Sequence, residues 1–350
     1  MAMVYNDINF NNKTILITGG AGFIGSNFIH YMLDKYPDYE IINFDALTYA
    51  GNLDNLETVQ DNPHYHFEEG NITDLTRVNE VIEKHKITHL INFAAETHVD
   101  KSIHGGIKDF VLTNSLGVQM LLDATRINKL TRMVNVSTDE VYGALALDSD
   151  DKFTEDTPIM PNMPYAAAKA GGDLMCNAYW VTHKTPVIVT HCSNNYGPYQ
   201  FPEKLIPFFI FKAMNDEACP VYGDGLNVRD WIHALDHASA LDLLLHKGVD
   251  GEVYNIGVDN ERNNLEITRM ILSILGKSED LLKFVEDRPG HDRRYAIDST
   301  KILDLGWKPE YTPDQFERGM KETVQWYLDN ADWVKKIRAR MNEVNQHIAK

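Results

Sequence analysis

The chain has 350 residues, 43% hydrophobic and 24% charged, enough to close a full α/β core with a smaller lobe attached. Its formal charge of -18 opposes broad binding to nucleic acid or an anionic membrane, so any phosphate must meet locally placed Arg, Lys or backbone N–H groups. Three cysteines (Cys176, Cys192, Cys219) lack metal-ligand spacing and suit a reducing cytoplasm; residues 1–12 lack the apolar core of an export signal, and no stretch reaches the ~18 apolar residues of a membrane span.

Short β-branched runs at residues 14–18, 41–44, 65–68, 89–93, 133–136 and 187–190 predict buried strands, with helical patterns between them. Such alternation builds a parallel sheet with right-handed crossovers and helices on both faces. The expected fold class is therefore α/β, a Rossmann-type doubly wound parallel sheet. After Pro198 the rhythm changes to isolated helices at 203–214, 265–275 and 312–328, separated by turns such as Tyr222-Gly223-Asp224-Gly225 and Asp287-Arg288-Pro289-Gly290. This reads as a smaller C-terminal substrate-binding lobe. Residues 229–255 again show strand, helix and strand, so the chain is expected to return: 1–197 and 226–256 would form the first domain, 198–225 and 257–350 the second. The final stretch, 333–350, is helical in pattern and is expected to lie on the surface.

Gly19-Gly20-Ala21-Gly22-Phe23-Ile24-Gly25 follows the first strand directly and opens a helical run, the context that gives a glycine fingerprint its meaning. Gly19 permits the tight turn, Gly22 lets the backbone approach a pyrophosphate at the helix N-terminus, and Gly25 allows close helix–sheet packing. Asp45 ends the second strand, where a carboxylate accepts hydrogen bonds from the adenosine ribose and repels a 2′-phosphate. NAD is therefore expected over NADP. Asn71-Ile72 and Ala94-Ala95-Glu96 fall at the carboxyl ends of the third and fourth strands, where ligands of such sheets bind. Phe23, Ile24, Leu47, Thr48 and Thr113 complete the expected cofactor set, and no metal ligand set is found.

Tyr165 and Lys169 are spaced i, i+4 at the start of a helical run, which places them one turn apart on one face. A nearby ammonium is expected to lower the tyrosine pKa from ~10 and make the phenol a usable base. Thr138 lies just past the fifth strand, in Ser137-Thr138-Asp139-Glu140-Val141-Tyr142-Gly143. The glycine fingerprint, this hydroxyl and the Tyr-x-x-x-Lys together resemble the extended short-chain dehydrogenase/reductase superfamily. Asp139 and Glu140 are then two acids able to move protons at two carbons, where an isolated pair would read as a solvated acidic turn. A regular strand sends adjacent side chains to opposite faces, so both serve one site only if the backbone leaves the sheet there.

Thr138-Asp139-Glu140 and much of the surrounding chain are similar to the dTDP-glucose 4,6-dehydratase family. The match runs from about Lys13 to Trp326. It includes Ala94-Ala95-Glu96-Thr97-His98-Val99-Asp100, Cys192-Ser193-Asn194-Asn195-Tyr196-Gly197-Pro198, Phe201-Pro202-Glu203-Lys204-Leu205-Ile206-Pro207, Val228-Arg229-Asp230-Trp231 and Arg288-Pro289-Gly290-His291-Asp292. The resemblance implies an NAD-dependent lyase that turns a nucleotide-linked hexose into the 4-keto-6-deoxy sugar. Tyr165, helped by Lys169 and Thr138, would take the O4 proton while hydride leaves C4 for NAD. Glu140 would remove the C5 proton, Asp139 would protonate the departing C6 hydroxyl, and the hydride would return to C6.

The same carry-over assigns His98 and Asn194 to the sugar and Asn195 to the nicotinamide neighbourhood. Glu203, Lys204, Leu205, Arg229, Asn264, Arg288, His291 and Tyr295 would meet the diphosphate and nucleoside, with Pro220 and Tyr222 along the base. It also implies a homodimer through a four-helix bundle built from residues 109–125 and 165–183. His191 and Lys101 stand where the family usually has Arg, Ala168 where Ser is usual, and Asn71 where an Asp commonly meets the adenine. UDP-glucose or UDP-N-acetylglucosamine therefore remain alternative substrates, and a sugar-nucleotide 4-epimerase or a non-enzymatic NAD sensor alternative functions. The epimerase would not need the Asp139-Glu140 pair.

Overall fold

The computed structural model describes residues 13–286 and 292–348. Its strands are β1 (Thr14–Thr18), β2 (Glu40–Asp45), β3 (Tyr65–Glu69), β4 (His89–Asn92), β5 (Arg132–Thr138), β6 (Val187–Cys192), β7 (Asn194–Tyr196), β8 (Cys219–Tyr222), β9 (Val228–His233), β10 (Val253–Ile256), β11 (Glu261–Asn263) and β12 (Leu282–Val285). Its helices are α1 (Phe23–Lys35), α2 (Leu75–His85), α3 (Val99–His104), α4 (Ile107–Val111), α5 (Val118–Ile127), α6 (Pro164–His183), α7 (Leu205–Met214), α8 (Ala234–Lys247), α9 (Asn264–Ile274), α10 (Thr300–Asp304), α11 (Phe316–Asp329) and α12 (Ala331–Ile348).

Seven strands form one parallel sheet in the order β10-β6-β5-β4-β1-β2-β3, the doubly wound arrangement expected. Alternate side chains feed two cores. Ile15, Ile17, Ile41, Ile91 and Val134 pack against α1 and α8 on one face, while Leu16, Ile42, Leu90 and Met133 pack against α2, α5 and α6 on the other. The order reverses between β1 and β4, so the carboxyl ends of these two strands open a crevice where the fold places its ligands.

Residues 229–255 do supply a strand, a helix and a strand, but the two strands part company. β10 extends the main sheet beside β6, whereas β9 pairs with β7 and β11 in a small separate sheet. A parallel pair, β8 with β12, stands near the site, and α7, α9 and α11 close a third core around Phe209, Ile210, Ile267, Ile271, Met320 and Val324. The C-terminal stretch is not simply a surface helix. Trp333, Val334 and Ile337 of α12 are buried in this third core because their i, i+1, i+4 spacing forms one apolar stripe among charges. The pattern over 109–125 is also broken: between α4 and α5 the chain widens into a π-helical stretch, Leu112–Gly117, carrying Thr113.

Candidate active site

Thr138 is the last residue of β5, and from Asp139 the backbone leaves the sheet in a 3-10 turn, Asp139–Tyr142, ended by Gly143 at φ 96°. Asp139 and Glu140 therefore escape strand alternation and both line the crevice. Thr138 Oγ1 donates to Asp139 Oδ1 at 3.3 Å and accepts from the Glu140 N–H at 3.4 Å, which ties the three residues into one unit. One oxygen of each acid, Asp139 Oδ2 and Glu140 Oε2, is buried without a hydrogen-bond partner among the described residues. Such orphaned acceptors are costly in a core and mark places where a ligand completes the bonding.

The two acids are set apart electrostatically. Burial, then the Glu140 and Asp230 carboxylates, push Asp139 well above the usual carboxylate range, so it is held protonated. Burial also raises Glu140, but the Arg229 and Lys204 charges pull it back towards the ionised form. Both acids are thus raised, Asp139 the further, and at Glu140 the opposing cations come second only to burial.

Pro164 opens α6, and Tyr165 and Lys169 follow one turn apart, both buried. Lys169 Nζ donates to Val136 O at 2.7 Å; burial lowers its pKa, opposed chiefly by the Asp173 carboxylate one turn further on. Here the structure corrects an expectation. The Tyr165 phenol is not lowered but raised well above its ordinary value, by burial first and then by Glu140, Cys192, Asp139 and Asp173, while Lys169 donates to the Val136 carbonyl. Asp173 is held by Asn135 Nδ2 (3.1 Å), Ser137 Oγ (2.7 Å) and His191 Nε2 (3.3 Å), and His191 Nδ1 in turn meets the Tyr142 hydroxyl at 2.7 Å. His191, one of the departures from the family pattern, is therefore part of the support behind Lys169.

One cavity of about 790 Å³ runs from the glycine fingerprint past this centre to the third core. Gly19, at φ 69°, needs its missing side chain: a Cβ there would lie 2.5 Å from the Ala94 nitrogen of the strand-end beside it. Gly22 caps α1, and Gly25 packs against the turn itself, where a Cβ would lie 2.4 Å from Gly19 O. Asp45 accepts from the Ala21 N–H at 3.0 Å and the Leu47 N–H at 2.8 Å.

A family model described as GDP-mannose 4,6 dehydratase matches residues 16–323. The chain is 52% identical over 314 residues to the low-salt glycan biosynthesis protein Agl12 of Haloferax volcanii, covering 90% of this chain and 98% of that protein. It is 46% identical over 342 residues to the dTDP-glucose 4,6-dehydratase of Neisseria meningitidis, covering 92% and 95% respectively. Among solved structures, the dTDP-glucose 4,6-dehydratase of Bacillus anthracis, crystallised in complex with NAD, superposes with a TM-score of 0.86 at 50% identity, covering 93% of this chain and 99% of that one. The chain belongs to the dTDP-glucose 4,6-dehydratase family.

For this dehydratase, the dinucleotide half of the cavity fits NAD on its own evidence. The bare N-terminus of α1 lies behind Gly22, the Asp45 carboxylate stands at the end of β2, and the space beside Gly22, where a Cβ would meet only Gly19 O at 3.2 Å, is open. Phe23, Ile24, Thr48, Asn71, Ile72, Ala94, Ala95, Glu96, Thr113 and Asn195 all line it. Leu47 does not; at φ 49° it serves through its N–H, which orients Asp45. The Glu96 carboxylate is paired with Lys101 at 3.4 Å, and Asn195 Oδ1 is set by His237, kept neutral because burial pushes its pKa down to about 3.

Towards the third core lie His98, Asn194, Glu203, Lys204, Leu205, Pro220, Tyr222, Arg229, Asn264 and Tyr295. The Arg229 guanidinium sits 4.3 Å over the Tyr295 ring and donates to the carbonyls of Val228 and Asp292. Lys204 Nζ donates to Thr97 O at 2.9 Å. Arg288 and His291 lie outside the described residues. Sequence reasoning missed Asp173, Phe208, Phe209 and Gln200; only Asp173, one helical turn after Lys169, carried a readable signal. Among the described residues no helix is long and apolar enough to cross a membrane, and no group of His, Cys, Asp or Glu could hold a metal ion.

Proposed function

We propose that the protein is an NAD-dependent hydro-lyase that converts dTDP-glucose into dTDP-4-keto-6-deoxyglucose. The observation that carries this reading is the pair Asp139-Glu140, each with a buried and unpartnered oxygen, on the turn that follows Thr138. An epimerase working only at C4 would not need these two acids. NAD, held between the fingerprint turn and Asp45, would supply the oxidant for C4 and would give the same two electrons back at C6 after water has left, with Glu140 returning its proton to C5. Tyr165 takes the O4 proton, with Thr138 orienting that oxygen and Lys169 balancing the charge from behind. The 4-ketone acidifies C5–H, and Glu140, pulled towards its ionised form by Arg229 and Lys204, removes that proton. Asp139, held protonated, gives its proton to the C6 hydroxyl, which leaves as water.

His98 and Asn194 would hold the sugar, Lys204, Arg229, Asn264 and Tyr295 the nucleoside diphosphate, and Pro220 and Tyr222 the base. The identity of the sugar nucleotide is tested by NMR of the products formed from dTDP-glucose, UDP-glucose and UDP-N-acetylglucosamine. The reading expects the 4-keto-6-deoxy product fastest from the first, and deuterium placed at C4 to reappear at C6 of the same molecule. Loss of that label to solvent would refute the scheme.

The division into a dinucleotide-binding part (residues 1–197 and 226–256) and a sugar-nucleotide part (198–225 and 257–350) belongs to the same proposal. So does a homodimer: Val111, Leu116, Leu174, Met175 and Val181 are exposed apolar side chains on α4 to α6, and pairing these helices with those of a second copy would cover them in a four-helix bundle. Light scattering of the wild type and of Val181→Asp distinguishes dimer from monomer. A cytoplasmic location is supported by three buried, unpaired cysteines.

A further inference from the structure

Helix α12 packs into the third core and pairs Arg338 with Glu217 beside it, yet three further side chains reach the loop that follows β2, at least 278 residues earlier in the chain. The Trp333 ring is wedged among Trp326, Tyr327 and Tyr199, with centroids at 5.1, 6.0 and 6.2 Å. Its Nε1–H donates to Asn55 Oδ1 at 2.9 Å in a buried contact spanning 278 residues of chain. Asn55, itself 2% exposed, uses its Nδ2 to donate to Ala21 O at 3.0 Å. The Ala21 N–H donates to Asp45 Oδ2, also at 3.0 Å. An unbroken line of hydrogen bonds therefore runs from α12 through Asn55 and the glycine fingerprint to the carboxylate at the ribose end of the cavity.

Two further side chains of the helix fall on the same loop, at i+3 and i+7 from Trp333 and so on one face. Lys336 Nζ lies 3.2 Å from Asp54 Oδ2, and Arg340 Nη2 donates to Thr48 O at 3.0 Å. Thr48 and Asp45 both line the cavity, and the Arg340 charge acts on Asp45 in the direction that favours its carboxylate. Packing of Val334 and Ile337 would by itself anchor the helix to the third core. The polar contacts to the loop reach beyond that core, to residues that line or adjoin the dinucleotide pocket.

We infer that α12 is a clasp on the cofactor site, with Trp333, Asn55 and Arg340 acting as positioning residues that hold the fingerprint turn and residues 46–55 in the shape that retains the dinucleotide. The inference rests on NAD lying at the glycine fingerprint. It gives the sugar-nucleotide part a direct hold on a cofactor that, in a reaction beginning and ending with the same oxidation state, has no need to leave.

The test is the rate at which bound NAD escapes from the full-length holoenzyme after rapid dilution, compared with the affinity for dTDP and the thermal midpoint. Trp333→Phe keeps an aromatic ring in the cluster but removes the donor together with one fused ring, leaving Asn55 Oδ1 with the longer Asn52 contact at 3.4 Å. Loss of about one net hydrogen bond corresponds to roughly ten-fold faster NAD release. Arg340→Gln, at a more exposed position that does not threaten folding, should speed release by a smaller factor. In both, hydrogen exchange of the amides of residues 46–55 should quicken while dTDP affinity stays at the wild-type value. Unchanged NAD release in both variants overturns the clasp. So does a parallel weakening of NAD, dTDP and the thermal midpoint, which would mean a general packing role. If the wild type itself retains no NAD, the cofactor reading fails first and the clasp with it.

Discussion

Two buried carboxylate sites in this molecule behave in opposite ways. Asp242 lies in the groove between α1 and α8 with its side chain 4% exposed, and it is surrounded by donors: Lys35 Nζ at 2.6 Å, the Tyr31 and Tyr36 hydroxyls at 3.1 and 3.0 Å, and His246 Nδ1 at 2.8 Å. Burial alone would raise it, but these partners win and its pKa is lowered. Asp139 is buried as deeply and Glu140 is half-buried with its Oε2 shielded, yet each keeps an oxygen without a partner among the described residues and both are raised. Burial is thus common to structural and reactive acids. What separates them is whether the protein itself supplies the donors.

The contrast breaks most visibly if the acids at the crevice can be neutralised without loss of chemistry. Tyr165→Phe removes the group that takes the O4 proton and should lower kcat by roughly 10²–10⁴-fold, with C4 oxidation itself slowed. A primary isotope effect from C4 deuterium that grows in this variant would place the defect there. Glu140→Gln should cost about 10²–10³-fold, but at a later step. In D2O this variant should fail to exchange the C5 hydrogen of its substrate, although C4 oxidation still proceeds. Full-speed dehydration by Glu140→Gln would remove the base from the scheme and leave the unpartnered oxygens without a role.

Much of this was legible before any coordinates. The run Ile15, Leu16, Ile17 is apolar on both faces, and a strand buried between two helical layers leaves just that signature, so β1 was bounded correctly. The fingerprint and Tyr165-x-x-x-Lys169 were legible because each depends on spacing along one element. Strand ends were read short where the last residues are polar: β5 continues through Ser137 and Thr138, and β6 through His191 and Cys192, because those side chains face the site or its supports. The sign of the Tyr165 shift was not readable at all. It depends on burial first and then on which charges converge from β6, α6 and the turn after β5, and only the fold shows these together. The role of α12 was hidden for the same reason, since Asn55 is 278 residues from Trp333.

Smaller effects sharpen the contrast from the structural side. Asp242→Asn removes a charge that four side chains share and should destabilise the fold by about 2 kcal/mol, below the usual cost of a broken buried pair because Lys35 is 47% exposed and can return to water. Urea unfolding at neutral pH measures it. Asp139→Asn should do the reverse. An acid whose folded pKa lies above its unfolded value adds stability below the unfolded value and loses it as pH rises through the folded one. Removing the titration should therefore leave the variant more stable than wild type by on the order of 1 kcal/mol on the alkaline side, while its dehydration slows. A variant destabilised at every pH would show that Asp139 is held in place by interactions worth more than the strain it carries.

Glu68 gives the smallest effect and the cleanest sign. Its side chain is 9% exposed and meets Arg77 Nη2 and Lys84 Nζ at 2.6 Å and His85 Nε2 at 2.7 Å. Burial is overcome by these hydrogen bonds, and its pKa falls from the ordinary 4.5 to about 2. A carboxylate depressed in the folded state contributes stability above its unfolded value and loses it as pH drops through the folded one. Because Arg77 and Lys84 are 32% and 61% exposed, solvent screens much of the attraction, and the contribution is about 1 kcal/mol or less. Glu68→Gln should accordingly be less stable than wild type at neutral pH, with the difference shrinking between pH 4.5 and about 2 as the wild-type acid is protonated. The opposite trend is expected for Asp139→Asn, so a single pair of pH-dependent unfolding curves separates an acid satisfied by its own protein from one left open for a ligand.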